Sequence, residues 1–323
     1  MKAIRIASPG GPEAMELVDV ELPDPARGEV RIRHTAIGLN FIDTYHRSGL
    51  YPLPLPSGLG QEAAGVIEAL GPGVKGFKVG ERIAYGNGPI GAYSEARNIP
   101  AARINKLPKG IGDETAAAIM LKGMTARYLL KSSYKVKRGQ TILFHAAAGG
   151  VGQIATQWAR ALGAKVIGTV GSEDKRAIAV ANGCHHVINY RTEDVVARVR
   201  EITKGRGVPV VYDGVGQATV ITSLDCLEPH GLLVTFGNAS GPVRCLDTGL
   251  LALKGSLYVT RPTLGTFIST PKDFQRSAAD VLAIVKSGKV KIRIGQRYRL
   301  ADVQQAHRDL QDRHTMGSTI LLP

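Results

Sequence analysis

The residues best placed to do chemistry are those of the segment His145-Ala146-Ala147-Ala148-Gly149-Gly150-Val151-Gly152. It lies between an apolar strand pattern at residues 141–144 and a helical pattern that follows it. Glycines at such a junction let the backbone turn sharply and approach a pyrophosphate. The N-terminus of the following helix supplies unpaired N–H groups to bind it. The match is Ala147-x-Gly149-x-x-Gly152, with Ala where the fingerprint has its first Gly. A small-residue turn that merely packs a helix on a strand is the other reading, so the surroundings must decide.

The next strand bears on which nucleotide would bind. In NAD-binding sheets an acidic residue about 20 residues beyond the glycine loop holds the adenine-ribose hydroxyls. Here that strand ends Gly168-Thr169-Val170-Gly171-Ser172, without an acid. Lys175 can pair with a 2′-phosphate, and Tyr190, after the third strand, can add a hydroxyl and a flat face. Glu173 and Asp174 read instead as first-turn acids favoured by the helix dipole, behind Ser172 as N-cap. Together these features point to NADPH.

The elements that must position these residues alternate in a regular way. Strand patterns at 141–144, 165–170, 186–188, 209–212, 231–236 and 256–260 enclose helical patterns at 152–162, 173–181, 192–203 and 218–227. That succession predicts a doubly wound parallel sheet covered on both faces. The first third reads differently, with strands at 2–6, 29–38, 63–69 and 82–85 between Pro and Gly clusters. A helical run opens at Asp113 and continues, with an interruption at Gly123, to Leu130. After Arg261-Pro262 come a helix over 271–287, a strand at 290–294, a helix over 301–312 and a final strand at 318–322. These are expected to return to the β-rich part. The expected organisation is thus an α/β protein with a β-rich domain at 1–124 and 264–323, a nucleotide-binding domain at 125–263, and a cleft beside it.

Composition excludes several classes. The chain has 323 residues, 44% hydrophobic and 21% charged, with no apolar run long enough for a membrane span. The N-terminus alternates like a strand and lacks the pattern of a signal peptide, so a cytoplasmic location is expected. Cys184, Cys226 and Cys245 are too far apart for a C-x-x-C pair and read as buried thiols. The net charge of +14 raises the alternative of a nucleic-acid-binding protein that retains the fold, but the basic residues are scattered and aromatics are few. That reading ranks below an enzyme.

These features, read with Gly38-Leu39-Asn40-Phe41-Ile42-Asp43-Thr44-Tyr45, Gly60-Gln61-Glu62-Ala63-Ala64-Gly65-Val66 and the run from Gly71 to Ile83, resemble the medium-chain dehydrogenase/reductase superfamily. Within it the whole chain is similar to the zeta-crystallin-like, zinc-free quinone oxidoreductases. The resemblance implies a GroES-like catalytic domain beside a Rossmann domain. Zinc-dependent members of the superfamily use Cys near Asn40, His near Gln61 and Cys near Lys122. None of those ligand types is present, so no metal is expected. The resemblance further implies that Asn40, Tyr45 and Tyr51 line the nicotinamide pocket with Arg261 opposite. It assigns cofactor contacts to Asn40, Thr125, Gly149, Gly150, Val151, Gly152, Ser172, Lys175, Tyr190, Phe236, Asn238 and Arg313.

In such a pocket the nicotinamide carries the redox chemistry and the protein orients it. Donors from Tyr45, Asn40, Tyr51 and Arg261 would stabilise charge developing on a quinone oxygen, one well-aimed donor being worth about 3 kcal/mol. No residue stands out as an indispensable general base. The expected substrate is a quinone or related electrophilic carbonyl, with an NADPH-dependent enone or enal reductase as the alternative. A homodimer is expected from the need to cover the edge strand of the nucleotide-binding sheet.

Overall fold

A computed structural model describes all residues, Met1 to Pro323. The chain divides into two compact units. One comprises Met1–Met124, Ile268–Lys286 and Ile292–Pro323, and the other comprises Thr125–Phe267 and Ser287–Lys291. Residues 264–267 and 287–291, expected with the β-rich part, therefore group with the nucleotide-binding sheet. Part of the reason is local: the side-chain amide of Gln157 accepts from Lys291 N at 2.9 Å and donates to Lys291 O at 2.8 Å.

The second unit is built on a six-stranded parallel sheet. Its spatial order is His186–Asn189, Lys165–Val170, Thr141–Phe144, Val208–Asp213, Leu227–Thr235 and Tyr258–Thr260. In chain order this is 3-2-1-4-5-6, the arrangement of doubly wound dinucleotide-binding sheets. The first strand, Thr141–Phe144, lies where the order reverses, and it feeds directly into the glycine loop. The helix Gly150–Ala161 packs a stripe of Ile154, Ala155, Trp158 and Ala159 inward, the i, i+4 spacing of a helix with one apolar face. Leu143, Ile167, Val211 and Leu233, from four adjacent strands, share one core cluster.

The first unit carries a mixed sheet in the order Ile294–Arg299, Ser318–Leu322, Glu29–Leu39, Glu62–Leu70, Arg82–Gly86 and Asn105–Lys106. Val30, Ile32, His34 and Ala36 alternate into its core, the period of a half-buried strand. The C-terminal strand Ser318–Leu322 pairs with Glu29–Leu39, Ile320 opposite Gly38, so the end of the chain does complete the β-rich part. A smaller sheet joins Glu16–Asp19, Lys2–Ile6 and Ser57–Gly58.

Three local expectations need correction. The helical run from Asp113 breaks at Ala118–Ile119, not at Gly123, which lies inside the helix Met120–Tyr128. Gly123 instead provides clearance, since a Cβ there would sit 2.6 Å from Val281 Cγ1. The strand expected at 290–294 begins at Ile294 and runs to Arg299, where the alternating residues were hidden by arginines on the open face. Cys184 and Cys226 are buried, but Cys245 is exposed.

Candidate active site

The glycine loop is shaped by backbone contacts that side chains would obstruct. Ala146 adopts a left-handed conformation, φ 53°, and starts the turn. Ala147 stands where the fingerprint has its first glycine, and it fits because Gly168 on the neighbouring strand leaves room. A Cβ at Gly168 would lie 2.7 Å from that of Ala147. A Cβ at Gly152 would press against the Ala146 carbonyl and lie 2.7 Å from the Ala147 carbonyl carbon, so only glycine lets the helix pack this tightly on the loop.

The two helices that follow the first two strands end differently at their N-termini. The helix Gly150–Ala161 has Gly149 as N-cap, no capping side chain and no acid in its first turn. Its first N–H groups are therefore left for an external acceptor, as a pyrophosphate requires. The helix Glu173–Ala181 is capped internally: Ser172 accepts from Lys175 N at 3.4 Å, with Glu173 and Asp174 in the first turn. The sequence reading of those acids therefore agrees with the structure. Ser172 and Lys175 are half-buried at the tip of the second strand, beside the exposed Tyr190. A Cβ at Gly171 would lie 2.8 Å from the Tyr190 ring carbon that carries the hydroxyl, so this glycine makes room for the phenol.

At the carboxyl ends of the later strands, Phe236, Asn238 and Arg261 come together. Arg261 Nη1 donates to Thr235 O at 3.1 Å, and Nη2 lies 3.4 Å from Asn238 Oδ1. The Phe236 ring stands 5.8 Å from that of Phe144. Ligands of open α/β sheets bind at this end of the strands. Thr125 lies on the helix Met120–Tyr128. Arg313 belongs to the first unit, exposed and left-handed at φ 62°, just beyond the helix Val303–Gln311.

In the first unit Asn40, Tyr45 and Tyr51 are neighbours. Asn40 is the N-cap of the helix Phe41–Arg47 in a capping box with Asp43, whose Oδ2 accepts Asn40 N–H at 2.9 Å. Tyr45 and Tyr51 meet edge to face with ring centres 5.2 Å apart, and Tyr51 N–H donates to Tyr45 O at 3.1 Å. The Asn40 amide is directed inward. Its Nδ2 donates to Glu62 Oε2 at 2.9 Å and to Gly38 O at 3.3 Å, rather than to an acceptor in a pocket.

Glu62 is also the acceptor for Leu121 N–H at 2.7 Å and for the Lys122 ammonium at 2.8 Å, all buried. Two positions at which zinc-dependent enzymes carry cysteine, near Asn40 and Lys122, thus meet here on one carboxylate. Amide and ammonium groups at those positions give no thiolate donors. No group of three His, Cys, Asp or Glu side chains stands together to hold a metal ion.

Sequence reasoning missed a second buried network. Arg47 donates to His307 Nδ1 at 3.1 Å and to Gln311 Oε1 at 2.9 Å. His307 Nε2 lies 3.1 Å from the Tyr93 hydroxyl, which donates to Asp43 Oδ2 at 2.8 Å. Guanidinium is donor-only, so His307 Nδ1 accepts and its Nε2 carries the proton. Burial pushes the Asp43 carboxyl up to about 7 and, with the nearby Arg47 charge, holds the His307 imidazole down at about 3. Arg47 and His307 are 260 residues apart, which is why no local pattern announced them.

His145 reads the same way, as an internal group: Nδ1 lies 2.9 Å from Thr169 Oγ1 and Nε2 3.0 Å from Ser223 Oγ. His185 and His186 are exposed.

Comparison with known proteins accounts for this geometry. Residues 26–132 match the alcohol dehydrogenase GroES-like domain family, and residues 150–283 match the zinc-binding dehydrogenase family. A quinone oxidoreductase of Pseudomonas aeruginosa is 54% identical over 100% of this chain and 99% of its own length. The chain belongs to the quinone oxidoreductases, the zinc-free branch of the medium-chain dehydrogenase/reductase superfamily. The crystal structure of Escherichia coli quinone oxidoreductase complexed with NADPH has a TM-score of 0.98 at 49% identity, covering all of both chains. A 2-haloacrylate reductase of a Burkholderia species is 46% identical over 97% of this chain and 96% of its own. The α/β fold, with its GroES-like and Rossmann parts, is therefore that of the family. No helix of the protein is long and apolar enough to cross a membrane.

Proposed function

We propose that this quinone oxidoreductase family member uses NADPH to reduce quinones without a metal. The observation that carries the metal-free part is the buried Glu62–Lys122 pair, which places amide and ammonium groups where a zinc site needs thiolates. The glycine loop and the uncapped helix Gly150–Ala161 fit a pyrophosphate, and the tip of the second strand fits a 2′-phosphate. Bound NADPH supplies the reducing equivalents.

The residues proposed to hold it are Gly149, Gly150, Val151 and Gly152 at the pyrophosphate, and Ser172, Lys175 and Tyr190 at the 2′-phosphate. Thr125, Phe236, Asn238 and Arg313 contact the rest. Tyr45, Tyr51 and Arg261 donate to the oxygen that gains negative charge. Asn40, with its amide held by Glu62, caps and positions the helix that carries Tyr45.

The experiment is NADPH oxidation with 1,2- and 1,4-quinones, enones and 2-haloacrylate side by side. Turnover of quinones supports the assignment. Turnover confined to the other electrophiles replaces it with the unsaturated-carbonyl reading, which the haloacrylate relative favours.

The finer assembly and location follow from surface features. The strand Tyr258–Thr260 is an open sheet edge, and Tyr258 and Leu253 near it are 61% and 83% exposed. A second copy pairing there as a homodimer covers both the backbone edge and the apolar side chains. Light scattering giving the mass of one chain would remove this assignment. The unpaired cysteines, one of them exposed, suit a reducing cytoplasm.

A further inference from the structure

The tip of the second strand does carry a carboxylate, one residue beyond the N-cap. Glu173 follows Gly152 by about the 20 residues at which NAD-specific sheets place their ribose-binding acid. One oxygen takes a hydrogen bond and the other an ion pair without one. Oε1 accepts from Asn189 Nδ2 at 2.7 Å, and Oε2 lies 2.8 Å from Arg176 Nε.

Both partners are themselves fixed. Asn189 is 3% exposed and sits opposite Val170 in the adjoining strand. Its Oδ1 accepts Arg191 N–H at 3.2 Å, and its own N–H donates to Glu193 Oε1 at 2.8 Å. Arg176 is held by the Val187 carbonyl and by Glu193.

We propose that Asn189 and Arg176 are cofactor-specificity residues: they hold the exposed Glu173 in one orientation and offset its charge, so that it competes less for a ribose 2′-hydroxyl and repels a 2′-phosphate less. A free carboxylate here would do both, favouring NADH by hydrogen bonding and opposing NADPH by like charge. Glu173 itself stays at the surface, its side chain 67% exposed, but Asn189 fixes the orientation of one oxygen and the Arg176 charge beside the other offsets its repulsion of a phosphate. An exposed ion pair alone is a weak restraint, but the buried Asn189 donor fixes its geometry.

The inference rests on the proposed seat of the 2′-phosphate beside Lys175, and binding without turnover tests the two separately. Dissociation constants of NADPH and NADH are measured by calorimetry for the full-length protein and for Asn189→Ala, Glu173→Gln, Glu173→Gln/Asn189→Ala and Lys175→Ala. Asn189→Ala is expected to lower the preference for NADPH about tenfold, mostly through weaker NADPH binding. Removing the acid should restore it, so the double variant should return to within about twofold of Glu173→Gln. A double variant as poor as Asn189→Ala, or equal weakening of both nucleotides by Asn189→Ala, would overturn the proposal. Lys175→Ala leaving the preference unchanged would instead remove the phosphate seat on which it rests.

Discussion

Lys122 Nζ lies 2.8 Å from Glu62 Oε2, with the two side chains 6% and 0% exposed. The same oxygen receives Asn40 Nδ2, and the other receives Leu121 N–H. Three donors around one carboxylate make the burial of its charge tolerable, because each oxygen is satisfied and the charge is balanced. Breaking one side of such a pair leaves a buried ion without compensation. Lys122→Met, which keeps the side-chain length but removes the charge, should cost about 3–5 kcal/mol. The check is equilibrium urea unfolding, where the midpoint should fall. The double variant Glu62→Gln/Lys122→Met should recover much of the loss, because no charge then remains to compensate.

Asp43 gives stability a pH dependence whose sign can be fixed. Its carboxyl is raised from 3.8 to about 7, first by burial, with the bonds from Asn40 N–H and the Tyr93 hydroxyl opposing. Between about pH 4 and 7 the unfolded chain has released this proton while the folded chain keeps it, so stability from this group falls as pH rises and levels off above 7. His307, lowered from 6.5 to about 3 by burial and by Arg47, acts in the opposite sense. Its contribution is present above 6.5 and is lost as pH falls towards 3.

Both donors to Asp43 bind Oδ2, and Oδ1 is buried without a partner. Asparagine can thus keep both bonds through its carbonyl. Asp43→Asn should therefore match the wild type near pH 4 and exceed it in thermal midpoint at pH 8, by an amount equivalent to a few kcal/mol. A midpoint difference that does not grow with pH would show that Asp43 is not the group responsible.

How much of this could be read in advance depended on whether the cause was local. The doubly wound sheet was legible because each strand and helix announces itself within a dozen residues, and the helix Glu173–Ala181 matched to the residue through its Ser172 cap. The loop was legible too, since glycine at 149 and 152 answers a local steric need. In the sequence Lys122 marks only a missing metal ligand; its charge partner lies 60 residues away, and only the folded sheet brings them together. The same holds for Asp43, Tyr93, Arg47 and His307, which come from three distant segments. Asn40 stands out in the sequence through its motif, but the direction of its amide follows from Glu62, which no spacing rule reveals.

The loop offers a test of strain against clearance. Ala146 holds a left-handed φ of 53°, a conformation that costs an L-residue roughly 1–2 kcal/mol. Ala146→Gly should relieve it, offset in part by the greater freedom of the unfolded chain, for a net gain of about 0.5–1 kcal/mol. Gly152→Ala goes the other way. Its new methyl would meet the Ala146 and Ala147 carbonyl groups, which must shift and carry the helix start with them. Thermal melts should rise for the first variant and fall for the second. NADPH affinity measured by calorimetry should fall only for Gly152→Ala.

The last prediction concerns how the reaction is divided among side chains. If the nicotinamide carries the redox chemistry and the protein stabilises charge on the acceptor oxygen, each donor contributes separately. Tyr45→Phe and Tyr51→Phe keep the rings, and so the edge-to-face contact at 5.2 Å, while removing one hydroxyl each. Each should lower kcat by about 10- to 100-fold with little change in NADPH affinity. Arg261→Ala should lower kcat as well, and should also weaken NADPH because the Thr235–Asn238 turn loses its guanidinium partner. No single substitution should abolish turnover or erase one limb of the pH–rate profile. A variant that did both would identify an essential acid or base and would refute the distributed mechanism, whichever of the three residues it involved.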